Sequence, residues 1–282
     1  MATTRSLELA GIRVGGFSVG GIRTCIDLPG HGLCFDLGAL ESFAVAREVV
    51  LLTHAHIDHL GALASHCALR SLCGMRPPTY VVPHEQVEPL TELFAVWRRL
   101  DGSDLPHQLV PIGPGEEFEL PNRRIAKPFR TPHSAPCQGY ALYERRRRLK
   151  PEYRGRHGRE LASLRERGVE FEDVVDVPEV AFCADTRIEV LDRRPELLRT
   201  KLLILECTFL DERVDVAGAR SRGHVHLDEI IARADSFENE ALLLTHFSAR
   251  YGDDEVRALL DAKLPVSLRE RVTPLLSSTA PE

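Results

Sequence analysis

The stretches VVLLTHAH (49–56) and ALLLTHFS (241–248) restrict the fold of this 282-residue chain more than any other feature. Each is a short apolar run that reads as a buried strand, and each stops at a Thr-His pair. If they are equivalent strands of two related halves, both carboxyl ends open into one cleft. The surrounding pattern agrees. IRVGGFSV, TCIDLP and GLCFDLG read as meandering strands separated by Gly and Pro. TYVVP, RRIAKPF, GYALY, EVAFCADT and KLLILECTF are further strand-like runs. LGALASHCALRSL, the stretch 85–100, DEIIARADSF and DDEVRALLDAKL carry helical spacing instead. Strands followed by helices in both halves predict an α/β chain of two packed sheets with helices outside, one domain over 1–282. A charged insertion at about 144–168 interrupts the strands.

Bulk properties exclude several classes. A net charge of −6 argues against nucleic-acid binding by the whole surface and leaves room for a local basic patch. The opening MATTRSLELAGIRVGG has no apolar run of signal-peptide length, and no run approaches the ~18 apolar residues of a membrane span. The seven cysteines are an odd number without a C-x-x-C pair. They are expected to be reduced, mostly buried thiols in a cytoplasmic protein.

Between His54 and His59 the sequence HAHIDH crowds three of the chain's 12 histidines and an aspartate into six positions. His54 and His56 point to one side of an extended segment. Asp58 and His59 then fall on the first turn of the next helix, so one loop offers ligands in two directions. Imidazole and carboxylate suit Zn²⁺, and a bridging carboxylate would allow two ions. Two ions ~3.5–4 Å apart can activate water and stabilise both oxygens of a phosphoryl displacement. G-G-x-x-x-G-G (Gly15, Gly16, Gly20, Gly21) is not a phosphate loop, since it lacks the lysine and the following helix.

H-x-H-x-D-H after a strand resembles the signature of the metallo-β-lactamase superfamily, whose fold is an αββα sandwich. The resemblance implies three further ligands, supplied by His133 in RTPHSAPCQGY, Asp185 in AFCADT and His246 in LLLTHFSARY. One ion would then lie on His54, His56 and His133, and a second on Asp58, His59 and His246, with Asp185 bridging. LLTHFSARY is similar to the H-F-S-x-R-Y ending of ribonuclease Z, the endonuclease that removes 3′ trailers from precursor tRNA. LILECTF resembles that family's H-E-A-T-F segment, with Glu206 at the glutamate. GHVHLDEIIARA resembles its histidine block, with His226 at the histidine and His224 as the rival two residues away. CIDLP and CFDLG match the short plant and cyanobacterial forms, and the resemblance runs from about Ile12 to Leu276.

The resemblance implies a zinc-dependent endoribonuclease with two Zn²⁺ per chain, Mn²⁺ or Fe being alternatives, acting as a homodimer on precursor tRNA. Asp58 would take a proton from water. His226, kept charged by Glu206, would protonate the leaving 3′-oxygen. The chain departs from the family by reading ADT (Ala184, Asp185, Thr186) for G-D-T, and it has no Pro-Gly-Pro arm. The segment 144–159 instead holds seven arginines and one lysine against two glutamates. Arg145, Arg146, Arg147 and Arg148, with Arg250 of HFSARY, are the candidate phosphate contacts. The missing arm favours a second reading, a hydrolase of another phosphodiester or a small ester. A non-catalytic metal or RNA-binding protein is a third.

Overall fold

The computed structural model describes residues 6–276. The strands in chain order begin with β1 (Leu7–Leu9), β2 (Ile12–Gly20), β3 (Arg23–Leu28), β4 (Leu33–Phe35) and β5 (Val49–Leu51). Then come β6 (Thr79–Pro83), β7 (Gln108–Ile112), β8 (Phe118–Leu120), β9 (Arg124–Thr131) and β10 (Cys137–Leu149). β11 (Glu172–Phe182), β12 (Leu202–Glu206), β13 (Ala241–Thr245), β14 (Phe247–Ser248) and β15 (Val272–Pro274) complete them. β1 to β7 form one sheet in chain order, and the other sheet runs β15-β13-β12-β11-β10-β9-β8. β14 departs from the second sheet and pairs with β2 in the first, tying the halves together directly after His246.

Side-chain alternation produces the layers. Leu51 faces inward to the core shared by both sheets, with Ile26, Phe35, Phe182, Ile204 and Leu243. Val50 and Leu52 turn the other way, against the helices Leu63–Leu72 and Val87–Asp101. Leu203, Leu205, Leu242 and Leu244 do the same on the far side, under the helices Leu227–Ile231 and Asp253–Lys263. A strand buried on both faces must be apolar at every position, which is why VVLL, LLIL and ALLL are continuous runs. Each such side chain contributes about 1.5–3 kcal/mol of burial. The result is two mixed sheets between helices, the predicted αββα order. The carboxyl ends of β5, β9, β11 and β13 bring the candidate metal ligands to one edge.

The basic segment departs from its reading as a charged interruption. Residues Cys137–Leu149 are one strand that runs through the arginines and pairs antiparallel with β11 as far as Leu149↔Glu172. At ~3.3 Å per residue β10 is about 43 Å long. β9 accompanies it only to Glu144, and β12 meets β11 only at Val180–Phe182, so the arginine half projects as a two-stranded ribbon. The helix Gly158–Glu166 folds back on it, burying Leu164 and Phe171.

The ribbon bends where the register shifts at Leu142/Tyr143, which leaves Glu179 as an extra residue. Its carboxylate turns inward to Arg124 Nε (2.6 Å) and to His31 Nε2 (3.3 Å) of the first sheet. Burial raises the Glu179 carboxyl, but His31 and Arg124 outweigh it and pull it down to about 2 from 4.5. A depressed carboxylate stabilises the fold fully above its unfolded pKa and loses that contribution as pH falls from 4.5 towards 2. Glu179→Gln is therefore expected to cost up to about 3 kcal/mol at pH 7 and much less at pH 3. Urea unfolding at both pH values checks this; an equal loss at each would rule out the charge as the cause.

Candidate active site

Every cluster residue sits just past a strand end. His54 and His56 follow β5, and Asp58 and His59 lie on the short helix Ile57–Leu60. His133 follows β9, Asp185 follows β11, and His246 joins β13 to β14. His54, His56, His133 and Asp185 come together as one group, and Asp58, His59 and His246 as another. Asp185 divides them. Its Oδ2 lies 3.8 Å from His54 Nε2 and 4.0 Å from His133 Nε2, whereas Oδ1 is 3.4 Å from both His59 Nε2 and His246 Nε2. Asp58 Oδ2 closes the second group at 3.6 Å from His59 Nε2 and 3.5 Å from His246 Nε2.

Backbone geometry fixes these positions. Asp36, Ala184 and His246 all have left-handed φ, at 58°, 53° and 59°. For non-glycine residues this costs about 1–2 kcal/mol each, a cost typical of sites where neighbours dictate the backbone. Two glycines permit close approach. A Cβ on Gly38 would lie 1.7 Å from the Asp58 carbonyl oxygen, and one on Gly223 would lie 2.9 Å from His133 Nδ1. Gly223 also needs its φ of +84°. Its carbonyl accepts the His133 Nδ1 proton at 3.0 Å.

The groups that orient the ligands were not legible as site residues in the sequence. Asp36 is fully buried in CFDLG. It accepts from Thr53 N (2.9 Å), Thr53 Oγ1 (2.9 Å) and His59 Nδ1 (2.8 Å). Thr53 Oγ1 in turn accepts from His54 Nδ1 at 2.9 Å. On the other side Thr208 Oγ1 lies 3.1 Å from His246 Nδ1. Thus each of these ligand histidines uses Nδ1 for support and keeps Nε2 for the cleft.

Electrostatics follow from burial. Desolvation, with His59 next, pushes His54 down to about 2, and burial also lowers His133. Burial opposes charge on His59, yet Asp185 and Asp36 raise it well above the ordinary histidine value. Burial raises the Asp58 carboxyl, but the nearby imidazoles of His246 and His59 bring it to about 2. Asp185 is likewise held well below the carboxylate range: burial raises it, and His246 and His59 prevail.

The donor set fits a divalent metal. His59 Nε2 and His246 Nε2 are buried without any hydrogen-bond partner, which is costly unless something else satisfies them. His54 Nε2 and His56 Nδ1 converge to 3.0 Å, a spacing that suits two nitrogens sharing an electrophile. Imidazoles with carboxylates are borderline ligands of the zinc kind.

The proton-donor pair differs from the sequence reading. Glu206, at the end of β12, bonds His224 Nδ1 at 2.8 Å, not His226. The two histidines stand two residues apart, and their rings take different partners. His226 begins the helix Leu227–Ile231 as its amino-terminal cap, with Nδ1 accepting from Asp228 N and Nε2 donating to the Asp211 carbonyl. Both of its nitrogens are committed away from the cleft. His224 instead stacks 5.3 Å from His246 and lies 5.2 Å from His133. Burial lowers its pKa, Glu206 more than compensates, and the value rises to about 9.

The candidate phosphate contacts lie elsewhere. Arg145 is engaged by Glu117 and Asp176, Arg146 by Glu144, and Arg147 faces Glu172 at 3.6 Å. Arg148 is exposed on the ribbon, and Arg250 is exposed in the turn after β14. A cavity of about 1000 Å³ along the ribbon gathers Arg123, Arg124, Arg145, Arg146, Arg147 and Arg165 against three glutamates.

Comparison with known proteins adds the family. Residues 40–247 match the β-lactamase superfamily domain. The chain is 40% identical over 274 residues to tRNase Z TRZ1 of Arabidopsis thaliana, covering 96% of this chain and 98% of that protein. It is 37% identical over 273 residues to the chloroplastic tRNase Z TRZ2 of the same plant, covering 96% of this chain and 77% of that protein. The crystal structure of the metallo-β-lactamase fold protein YhfI from Bacillus subtilis superposes with a TM-score of 0.63 at 16% identity, over 94% of this chain and 97% of that one. The sequence blocks, the divided ligand cluster and these relatives agree: the chain belongs to the β-lactamase superfamily and, within it, to the tRNase Z family.

Proposed function

We propose that this protein is a zinc-dependent endoribonuclease that hydrolyses a phosphodiester to remove the 3′ trailer from precursor tRNA. The observation that carries the reading is a ligand cluster split by Asp185 with the Glu206–His224 pair packed against it. His54, His56, His133 and Asp185 would hold one ion, and Asp58, His59, His246 and Asp185 the other. When bound, two such ions neutralise charge on the phosphoryl oxygens and activate water. Asp58, kept ionised and fixed by Gly21 N at 3.0 Å, is placed to accept the proton of the attacking water. Glu206 accepts the Nδ1 proton of His224 and keeps the ring in its charged form at neutral pH, so that Nε2 also carries a proton, which it delivers to the departing 3′-oxygen. Protonation there spares an alkoxide leaving group.

The arginine ribbon supports an RNA substrate over a small ester. A chain of net charge −6 that concentrates six arginines around one groove is suited to a phosphate backbone away from the cleavage point. A homodimer belongs to the same reading. Leu69, Leu72, Met75, Val96 and Leu100 are exposed apolar residues on or beside the helices Leu63–Leu72 and Val87–Asp101. Sedimentation should give twice the chain mass; a chain that stays monomeric at micromolar concentration would remove that part. All seven cysteines are free and six are buried, which suits the reducing cytoplasm. No helix among the described residues is long and apolar enough to cross a membrane.

The test is cleavage of a precursor tRNA with a 3′ trailer by zinc-loaded protein, beside bis(p-nitrophenyl) phosphate. A single cut at the mature 3′ end is expected, with rates that fall steeply as salt rises. Turnover of the small diester alone would favour the second reading, a hydrolase of another phosphodiester or a small ester.

A further inference from the structure

Thr208 lies two residues past Glu206, is 5% exposed, and touches both parts of the site. Its Oγ1 is 2.6 Å from Glu206 Oε2 and 3.1 Å from His246 Nδ1. A threonine hydroxyl has one proton and two lone pairs. The short contact to a carboxylate, which can only accept, takes the proton. The remaining lone pairs can only receive the Nδ1–H of His246. The imidazole is thereby fixed with Nδ1–H on Thr208, and Nε2, the buried nitrogen without a hydrogen-bond partner, is directed at Asp58 and Asp185.

The surroundings hold Thr208 in that place. Ser248 N donates to the Thr208 carbonyl at 3.0 Å, and Cys207 N donates to the Thr245 carbonyl at 2.9 Å, so the segments after β12 and β13 are laced together. Glu206 cannot swing away either. Its Oε1 accepts from His224 Nδ1 and Thr186 N, both at 2.8 Å, and its Oε2 accepts from Thr208 and, at 3.1 Å, from Val225 N. The first half contains the same carboxylate–threonine–histidine arrangement in Asp36, Thr53 and His54. The threonine that precedes the second histidine, Thr245, does not take the matching part. Thr208, from the neighbouring strand, does.

We propose that Thr208 is a positioning residue that ties the ligand His246 to the proton-donor pair Glu206–His224, so that metal retention in one half of the site and proton delivery share one hydroxyl. This rests on the reading of the cluster as a hydrolytic metal centre. Losing the hydroxyl leaves Nδ1–H of His246 without its acceptor and frees the ring to rotate. It also leaves Glu206 Oε2 with one bond fewer.

The test compares Thr208→Val, which keeps the shape, with Thr208→Ser, which keeps the hydroxyl. In full-length zinc-loaded protein at pH 8.5 the ¹⁵N-bound Nδ1 proton of His246 should exchange slowly with water in wild type and in the serine variant, and fast in the valine variant. Zinc-loaded valine variant should release one ion to a chelator 10–100-fold more readily, the usual effect of losing a ligand's supporting bond. Its kcat should fall with KM little changed, and serine should restore both. Unchanged proton exchange and ion release in the valine variant would overturn the proposal, as would a serine variant that behaves like valine. The proton-exchange and ion-release readouts involve no RNA, so a failure to cut precursor tRNA would count against the proposed function and not against this assignment.

Discussion

Asp185→Ala is expected to abolish hydrolysis, with a fall of about 10⁴-fold or more, equivalent to roughly 5 kcal/mol of barrier. Its two oxygens face different histidine pairs, Oδ2 towards His54 and His133 and Oδ1 towards His59 and His246. Truncation removes a ligand atom from both halves at once. It also leaves His59, whose charge Asp185 sustains, with Asp36 as its main support. Metal content after dialysis should drop by at least one ion per chain. A variant that keeps its full metal content while losing activity would show that Asp185 is not shared between the halves. The expected loss exceeds that of any single orienting group, because those act through a histidine that remains present.

His224→Ala should lower kcat by ~10²–10³-fold with metal content intact, the scale of a lost proton donor. The pH dependence supplies a second check. Glu206 raises the His224 pKa to about 9, so the charged, donating form is fully present at neutral pH and is lost as pH rises through that value. The kcat of the native protein should therefore hold steady from pH 7 to 8 and fall above about 9, and the alanine variant should lack that limb. His226→Ala tests the alternative. His226 caps a helix and bonds two backbone groups, so its loss should cost about 1–2 kcal/mol of stability with little effect on kcat. The reverse result, with His226→Ala slow and His224→Ala normal, would return the proton donor to the sequence-based choice.

That exchange of histidines shows where a sequence is readable and where it is not. His54, His56, Asp58 and His59 share one loop, and their directions follow from strand and helix periodicity alone. His133, Asp185 and His246 come from distant strand ends, and it was the resemblance that joined them. Choosing between His224 and His226 needed the partners of each ring, and those of His226 follow from its place as cap of the helix Leu227–Ile231. A histidine cap with Glu229 closing the box is an uncommon beginning for a helix. Asp36 and Thr208 were invisible for another reason: each bonds a residue on a neighbouring element, so only the strand order reveals the pair. The arginine run has no period-2 alternation of apolar residues, so its strand was not legible in the sequence. Pairing of Arg145–Leu149 with Glu172–Asp176 in β11 makes it a ribbon.

The central claim is a single carboxylate dividing one pocket between two ions. Anomalous X-ray scattering from crystals of the zinc-loaded protein tests it most directly. Two peaks are expected, one among His54, His56 and His133 and one among Asp58, His59 and His246, each within bonding distance of a different oxygen of Asp185. One peak only, or two peaks with Asp185 turned away from either, would contradict it.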